Sequence, residues 1–109
     1  MTEQTNPPAD VRSVMAEVAP HLAHLTTEVV FGDVWERPGL SKRDRSLITV
    51  AVLTALYRTD QLKGHVARAL DNGVTKDEIG EVITHLALYA GWPTAVNAAV
   101  VAKEVFDNG

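Results

Sequence analysis

An apolar run of 11 residues, LITVAVLTALY from Leu47 to Tyr57, restricts the folds open to this chain more than any other feature. A membrane-spanning helix needs about 20 apolar residues, so the run is too short to cross a bilayer. As a helix it is apolar on every side, and such a helix has to be covered all round by its own domain or by other subunits. The run therefore predicts a buried helix.

The composition is that of an ordinary globular protein, with 46% hydrophobic and 22% charged residues. A length of 109 residues fits one domain, and we expect a disordered arm over residues 1–8 and a single helical domain over residues 9–109. The net charge of -4 and the scattered basic residues argue against nucleic-acid binding. The N-terminus lacks the basic start and apolar stretch of a signal peptide, which predicts a cytoplasmic protein that is not membrane-bound.

The chain contains no cysteine, which excludes disulfides, thiolate metal sites and thiol-based redox chemistry. No paired-histidine metal motif is present either. A metal site would have to be assembled from scattered residues such as His21, His65, His85 and Glu81, for which the support is weak. We therefore predict no metal.

Helical periodicity runs through the chain and no alternating strand pattern is sustained, so we predict an all-α domain of about six helices. Pro20 is expected to end or kink the first helix, and the second is expected to reach Gly32. Ser41 is predicted to cap the helix that contains the apolar run. Thr59 or Asp60 is predicted to cap the next helix.

The C-terminal half carries clear helix boundaries. Gly73 stands where a left-handed residue commonly ends a helix. Thr75 and Glu78 form a capping box for a helix that is expected to run to about Gly91. Pro93 then begins the last helix, at a position where its missing N–H is tolerated.

One flank of the helix that follows the capping box carries acidic, basic and aromatic residues in a single file. On a helical wheel the file consists of Glu78, Glu81, His85, Tyr89 and Trp92. It is either the wall of a small-molecule pocket or the edge of an amphipathic helix, where rings are buried and polar atoms stay in water. Geometry alone favours neither interpretation.

Two further residues are candidates for function. His65 follows Leu62 by three residues on an apolar helix face, and burying an imidazole unpaired costs about 1–3 kcal/mol. A hydrogen-bonded core histidine is the plain interpretation and a catalytic histidine is the alternative. Arg45 lies near a helix N-terminus, where a cation is mildly unfavourable, so an anionic substrate or a buried carboxylate would account for it. A surface arginine is the commoner case.

Three blocks resemble a known family: VFGDVWERPGLSKRDRSLITVAVLTAL, HVARALDNGVTKDEI and EVITHLALYAGWPTAVNA. In order and spacing they are similar to the carboxymuconolactone decarboxylase family, from about Phe31 to Phe106. The resemblance implies a small all-helical fold, like that of the alkylhydroperoxidase partner protein, which assembles into trimers or hexamers. Leu88 would be exposed on a monomer, and we expect it at a subunit contact.

One branch of that family consists of thiol peroxidases with a C-x-x-C-x3-H motif. His65 matches the histidine of the motif, but Arg58 and Gln61 stand in place of the two cysteines, so the thiol peroxidase reaction is excluded. Resemblance to the other branch implies a cofactor-independent decarboxylase. Its substrate would be 4-carboxymuconolactone, in aromatic-acid catabolism, or a related small lactone or keto acid.

That reaction would pass through a dienolate that takes up one proton. The expected catalytic groups are His65 and His85, with His65 returning the proton because a pKa of about 6.5 makes both of its forms accessible near neutrality. His85 or Tyr89 would hydrogen-bond the lactone oxygen. The expected substrate-binding residues are Arg45, Trp35, Glu81, Tyr89 and Trp92. Two alternatives stay open: another proton-transfer reaction, such as isomerisation or elimination, and a non-catalytic oligomer that binds a small acid.

Overall fold

A computed structural model describes residues 9–108, and every regular element in this range is helical. The α-helices are α1 (Ala9–Val18), α2 (Pro20–Leu25), α3 (Lys42–Ala55), α4 (Thr59–Asp71), α5 (Lys76–Ala90) and α6 (Trp92–Asn108). A π-helix (Thr26–Phe31) and a 3-10 helix (Val34–Glu36) precede α3. The prediction of an all-α protein with about six helices is confirmed. The arm predicted over residues 1–8 lies outside the described residues.

The chain divides into two compact units, one ending at Lys42 and one beginning at Arg43. The single domain predicted over residues 9–109 stays a prediction. In the first unit, α1 ends at Val18 and Pro20 is the first residue of α2, where its fixed φ suits a helix start. The predicted break at Pro20 is confirmed.

The second helix was expected to continue to Gly32, and this is wrong as an α-helix. The α-helical register ends at Leu25, and the chain continues as a π-helix. The Thr26 hydroxyl donates to the carbonyl oxygen of Leu22 at 2.9 Å, and the Thr26 N–H is shared between the carbonyls of Leu22 and Ala23. Threonine hydroxyls that bond back to the preceding turn disturb the regular ladder, and a π-turn is one way to accommodate the change.

The second unit has its own hydrophobic core. Its largest fully buried apolar side chains come from three helices: Val50 of α3, Leu62 and Val66 of α4, and Ile79 of α5. Alanines line the buried face of α6, which packs along α4 and α5. Burying a side chain of the size of valine or leucine stabilises a fold by about 1.5–3 kcal/mol. These contacts therefore hold the three helices against one another.

The apolar run forms most of α3 but is buried on one face only. Val50 is 1% exposed, whereas Ile48, Val52 and Leu56 are 55%, 45% and 53% exposed. Cover on all sides by the chain's own domain is therefore wrong, and cover of the exposed face by other subunits stays a prediction. No helix within residues 9–108 has the combined length and apolar character that a membrane span requires.

A left-handed residue joins α3 to α4. Tyr57 has φ 64, its N–H donates to the carbonyl of Thr54, and the N–H of Arg58 donates to the carbonyl of Leu53. This is the Schellman pattern, with tyrosine where glycine is usual. Arg58 occupies the N-cap of α4 without a side-chain cap, so the prediction that Thr59 or Asp60 caps this helix is wrong. The cause is the turn, which places the first helical residue at Thr59.

The remaining helix boundaries were predicted more closely. Helix α3 begins one residue after Ser41, and Gly73 has φ 97 just beyond the end of α4. The capping box of Thr75 and Glu78 is present, which confirms the predicted start of α5.

Helix α5 ends before Trp92, although the helical wheel treated the residues from Glu78 to Trp92 as one helix. Helix α5 stops at Ala90, Gly91 has φ 116, and α6 begins at Trp92. A backbone at that φ cannot continue a right-handed helix. The placement of Trp92 on the same helix as His85 and Tyr89 is therefore wrong. Pro93 is the second residue of α6 rather than its first.

Candidate active site

The capping box marks the start of α5, and the burial of Ile79 and Ile83 shows which residues of the helix face outward. The Thr75 hydroxyl accepts the Glu78 N–H at 3.0 Å, and the Glu78 carboxylate accepts the Thr75 N–H at 2.9 Å. From this start Ile79 and Ile83 are turned into the core, at 1% and 9% exposure. Residues offset by two positions from these lie on the other face of the helix. Glu81 and His85 are therefore exposed side by side, four residues apart.

An open groove of about 520 Å³ runs along this face of α5. Its lining consists of Ala51 from α3 together with Glu81, Val82, Thr84, His85, Leu86 and Leu88 from α5. The Thr84 hydroxyl already donates to the carbonyl of Gly80 at 2.9 Å. Among the lining residues, the carboxylate of Glu81 and the imidazole of His85 are the ionisable groups that could contact a bound molecule.

Tyr89 extends the polar wall beyond the groove. Its ring stacks on the His85 imidazole, with centroids 4.7 Å apart and planes inclined by 25°. The stack restricts the orientation of the imidazole, since aromatic pairs prefer such offset contacts. Tyr89 is 79% exposed and Trp92 is 66% exposed, and neither lines the groove.

His65 lies on α4 and is half-buried, but it is not among the residues that line the groove. Burial, and after it the nearby Arg68 guanidinium, lower the pKa of the His65 imidazole from 6.5 to about 4. Both effects disfavour the charged form. The expectation that both protonation states are accessible near neutrality is therefore wrong for the chain by itself, because the neutral imidazole predominates there.

Arg68 is a charged residue of this region that the sequence analysis missed. It is 7% exposed, and burial lowers the pKa of its guanidinium to about 10 against the opposing effect of Asp71. Arginine is rarely buried to this extent, so a surface position was the natural assumption. The one available signal was its spacing of three residues from His65, which places both side chains on neighbouring parts of the same helix.

The other predicted site residues are distributed over both units. Arg45 is half-buried on α3, next to the buried Ser46. Trp35 belongs to the first unit, where the centroid of its ring lies 5.8 Å from the centroid of the Phe31 ring. The structure thus brings together Glu81, His85 and Tyr89. Across residues 9–108, no three histidine, aspartate or glutamate side chains are grouped so that they could hold a metal ion.

Comparison with known proteins places these residues in a family. The profile of the carboxymuconolactone decarboxylase family matches residues 20–104, which is most of the chain. The chain belongs to this family. The match runs from α2 into α6, so it includes the groove and both candidate histidines.

Two curated relatives are decarboxylases. Over 76 residues the chain is 53% identical to a 4-carboxymuconolactone decarboxylase of Acinetobacter baylyi, covering 70% of this chain and 57% of the relative. Over 84 residues it is 37% identical to a nitrosuccinic acid decarboxylase of Metarhizium robertsii, covering 77% and 59%. An uncharacterised 15.0 kDa protein of Paracoccus denitrificans is 31% identical over 99 residues, covering 89% of this chain and 73% of that protein. The chain thus spans little more than half the length of the two decarboxylases.

Proposed function

We propose that this protein is a carbon–carbon lyase, a homo-oligomer that releases CO2 from 4-carboxymuconolactone or a related small lactone or keto acid. The identity of 53% to a 4-carboxymuconolactone decarboxylase carries the proposal. The groove supports it, because a carboxylate and an imidazole stand among apolar side chains, as in most small-molecule sites. Aromatic-acid catabolism is the setting in which such a lactone is formed.

The names of the two decarboxylating relatives indicate a common chemistry. When a carboxylate leaves as CO2, the carbon–carbon bond breaks and its electron pair stays with the substrate. An unsaturated lactone carbonyl takes up that pair through the ring alkene, and a nitro group on the neighbouring carbon can take it up directly. A proton then adds to carbon. The reaction balances without an oxidant or a reductant, so we propose that the chain needs no cofactor.

The protein then has to stabilise the oxyanion, hold the carboxylate that does not react and return one proton. We assign the hydrogen bond to the oxyanion to His85 or to Tyr89, which stacks on it. Arg45 is proposed to hold the second carboxylate, since a guanidinium pairs well with carboxylates. The remaining proposed substrate contacts are Trp35, Glu81 and Trp92.

Both histidines are candidates for the proton donor. His85 lines the groove, which favours it on position. His65 is neutral in the free chain. An anionic substrate nearby would raise the pKa of the imidazole, so that the imidazole takes up a proton when the substrate binds. The dependence of kcat/KM on pH separates the two, because it reports the pKa values of the free enzyme. If His65 is the donor, kcat/KM falls about tenfold per pH unit above its pKa of about 4. A profile without that decrease between about pH 5 and pH 7 excludes His65 as the proton donor.

The test is to incubate the purified chain with 4-carboxymuconolactone and to follow CO2 release together with the ultraviolet absorbance of the lactone. Stoichiometric CO2 with loss of the substrate spectrum is the expected result. A spectral change without CO2 would replace decarboxylation by isomerisation or elimination. Saturable binding without any spectral change would indicate a non-catalytic acid-binding protein.

A further inference from the structure

The groove on α5 contains a carboxylate, although the proposed substrate is itself an anion. Its seven lining residues include Glu81 and His85, and neither a lysine nor an arginine is among them. The Glu78 carboxylate, one turn earlier, does not line the groove and is already engaged by Thr75 and Arg43. Glu81 is therefore the acidic group that a molecule in the groove would meet.

Glu81 and His85 lie at different points along the length of the groove. Four residues separate them, which puts them on the same side of α5 and about 6 Å apart along its axis. Tyr89 stacks on His85 one turn further on. The groups that can donate a hydrogen bond are thus at one end, and the carboxylate is at the other.

Decarboxylation moves negative charge from one part of the substrate to another. Before the reaction the charge is on the carboxylate that leaves. When the carbon–carbon bond breaks, that group departs as neutral CO2, and the electron pair passes through the ring alkene to the lactone oxygen. A proton then adds to carbon, so that atoms and electrons balance without an oxidant or a reductant.

The direction of this charge movement fits one orientation of the substrate in the groove. A leaving carboxylate beside His85 would be stabilised by the imidazole before the reaction, which raises the barrier. Beside Glu81 it is repelled by a like charge, and the repulsion disappears as CO2 forms. The imidazole then meets the oxyanion that develops at the other end.

We propose that Glu81 is a catalytic residue that repels the leaving carboxylate, and that the substrate binds with this carboxylate beside Glu81 and its lactone oxygen beside His85. The inference rests on the proposed function and assigns Glu81 a role within it. Contacts of the unreactive part of the substrate with the apolar lining, such as Val82 and Leu86, keep it bound against the repulsion. An interaction that destabilises the bound substrate but not the transition state raises kcat.

The expected size of the repulsion follows from the exposure of Glu81. The side chain is exposed, so the dielectric constant of water applies as a lower limit to the effect. Two unit charges about 4 Å apart in water weaken binding about fivefold, and the factor grows where water is excluded.

A matched pair of unreactive ligands tests the repulsion without turnover. The lactone with its ring alkene reduced keeps both carboxylates, but it has no path for the electron pair and is not decarboxylated. The same saturated lactone without the ring carboxylate is its partner. Isothermal titration calorimetry compares wild type, Glu81→Gln and Asp77→Asn. Asp77 is exposed near the start of α5 and does not line the groove, so Asp77→Asn is the control for the loss of one negative charge.

We expect Glu81→Gln to bind the dicarboxylate about fivefold more tightly than wild type does, and to bind the monocarboxylate equally well. Asp77→Asn should follow wild type with both ligands. Unchanged or weaker binding of the dicarboxylate by Glu81→Gln overturns the inference, as does a failure of both proteins to bind it. Equal tightening for both ligands places the retained carboxylate beside Glu81 and overturns the proposed orientation.

Steady-state kinetics separate this role from a structural one. Relief of the repulsion lowers kcat and KM together, each by about fivefold, and leaves kcat/KM unchanged in Glu81→Gln. A raised KM would show that Glu81 attracts the substrate, and a lowered kcat/KM with KM unchanged would show a different role, so either result overturns the inference and leaves the decarboxylase proposal standing. A wild type without turnover overturns the proposed function and the catalytic role, while calorimetry still decides whether Glu81 repels a carboxylate.

Discussion

Acidification should destabilise this protein through His65, and replacing that residue by glutamine should remove the effect. In the folded chain the pKa of His65 is lowered from 6.5 to about 4 by burial and by Arg68. The unfolded chain therefore takes up a proton at a higher pH than the folded chain. Stability is complete above about pH 6.5 and is lost as the pH falls towards 4. The full shift corresponds to at most about 3 kcal/mol, and partial exposure of the ring reduces the expected effect to about 2 kcal/mol.

The assay is urea unfolding of wild type and His65→Gln at one protein concentration, at about pH 7.5 and about pH 4. Between the higher and the lower pH, the unfolding free energy of wild type should fall by about 2 kcal/mol more than that of His65→Gln. His24→Gln, a change at an exposed histidine, is the matched control and should follow wild type. Parallel curves for wild type and His65→Gln would refute the reasoning, as would an NMR titration of His65 with a midpoint near 6.5.

Three substitutions test the architecture by urea unfolding. Thr75→Ala removes the hydroxyl that accepts the Glu78 N–H and should destabilise the fold by about 1 kcal/mol, whereas unchanged stability would show that the capping box contributes nothing. Tyr57→Gly relieves a left-handed backbone at φ 64 and should stabilise by up to about 1 kcal/mol, and a loss of stability would mean that the exposed ring contributes more than the strain. Leu62→Ala, at a side chain that is 1% exposed, should destabilise by about 2–5 kcal/mol, and a smaller loss would contradict the tight core of the second unit.

Helix boundaries set by local chemistry could be predicted from the sequence. Pro20, Gly73 and the capping box of Thr75 act through their own backbone or through a neighbour three residues away, and each lies where the pattern placed it. Competing local interactions were harder to foresee. The π-helix begins at Thr26, whose hydroxyl bonds back to the preceding turn, and the turn at Tyr57 uses a residue that rarely adopts a positive φ.

The candidate site was predictable in its residue types and less so in its arrangement. Spacing alone placed Glu81, His85 and Tyr89 together, and the structure agrees. The environment of His65 depends on burial by other helices and on Arg68, neither of which a helical wheel contains. The exposure of Tyr89 and the break before Trp92 depend likewise on where α5 ends.

The most direct test of the central claim is the rate of CO2 release from 4-carboxymuconolactone by wild type, His85→Gln and His24→Gln. Both substituted histidines are exposed, but only His85 lines the groove. Loss of a positioned catalytic imidazole typically lowers turnover by about 10²–10⁴-fold, so we expect a decrease of that order for His85→Gln and none for His24→Gln. Equal rates for all three proteins would show that the His85 imidazole takes no part in decarboxylation and would contradict the account.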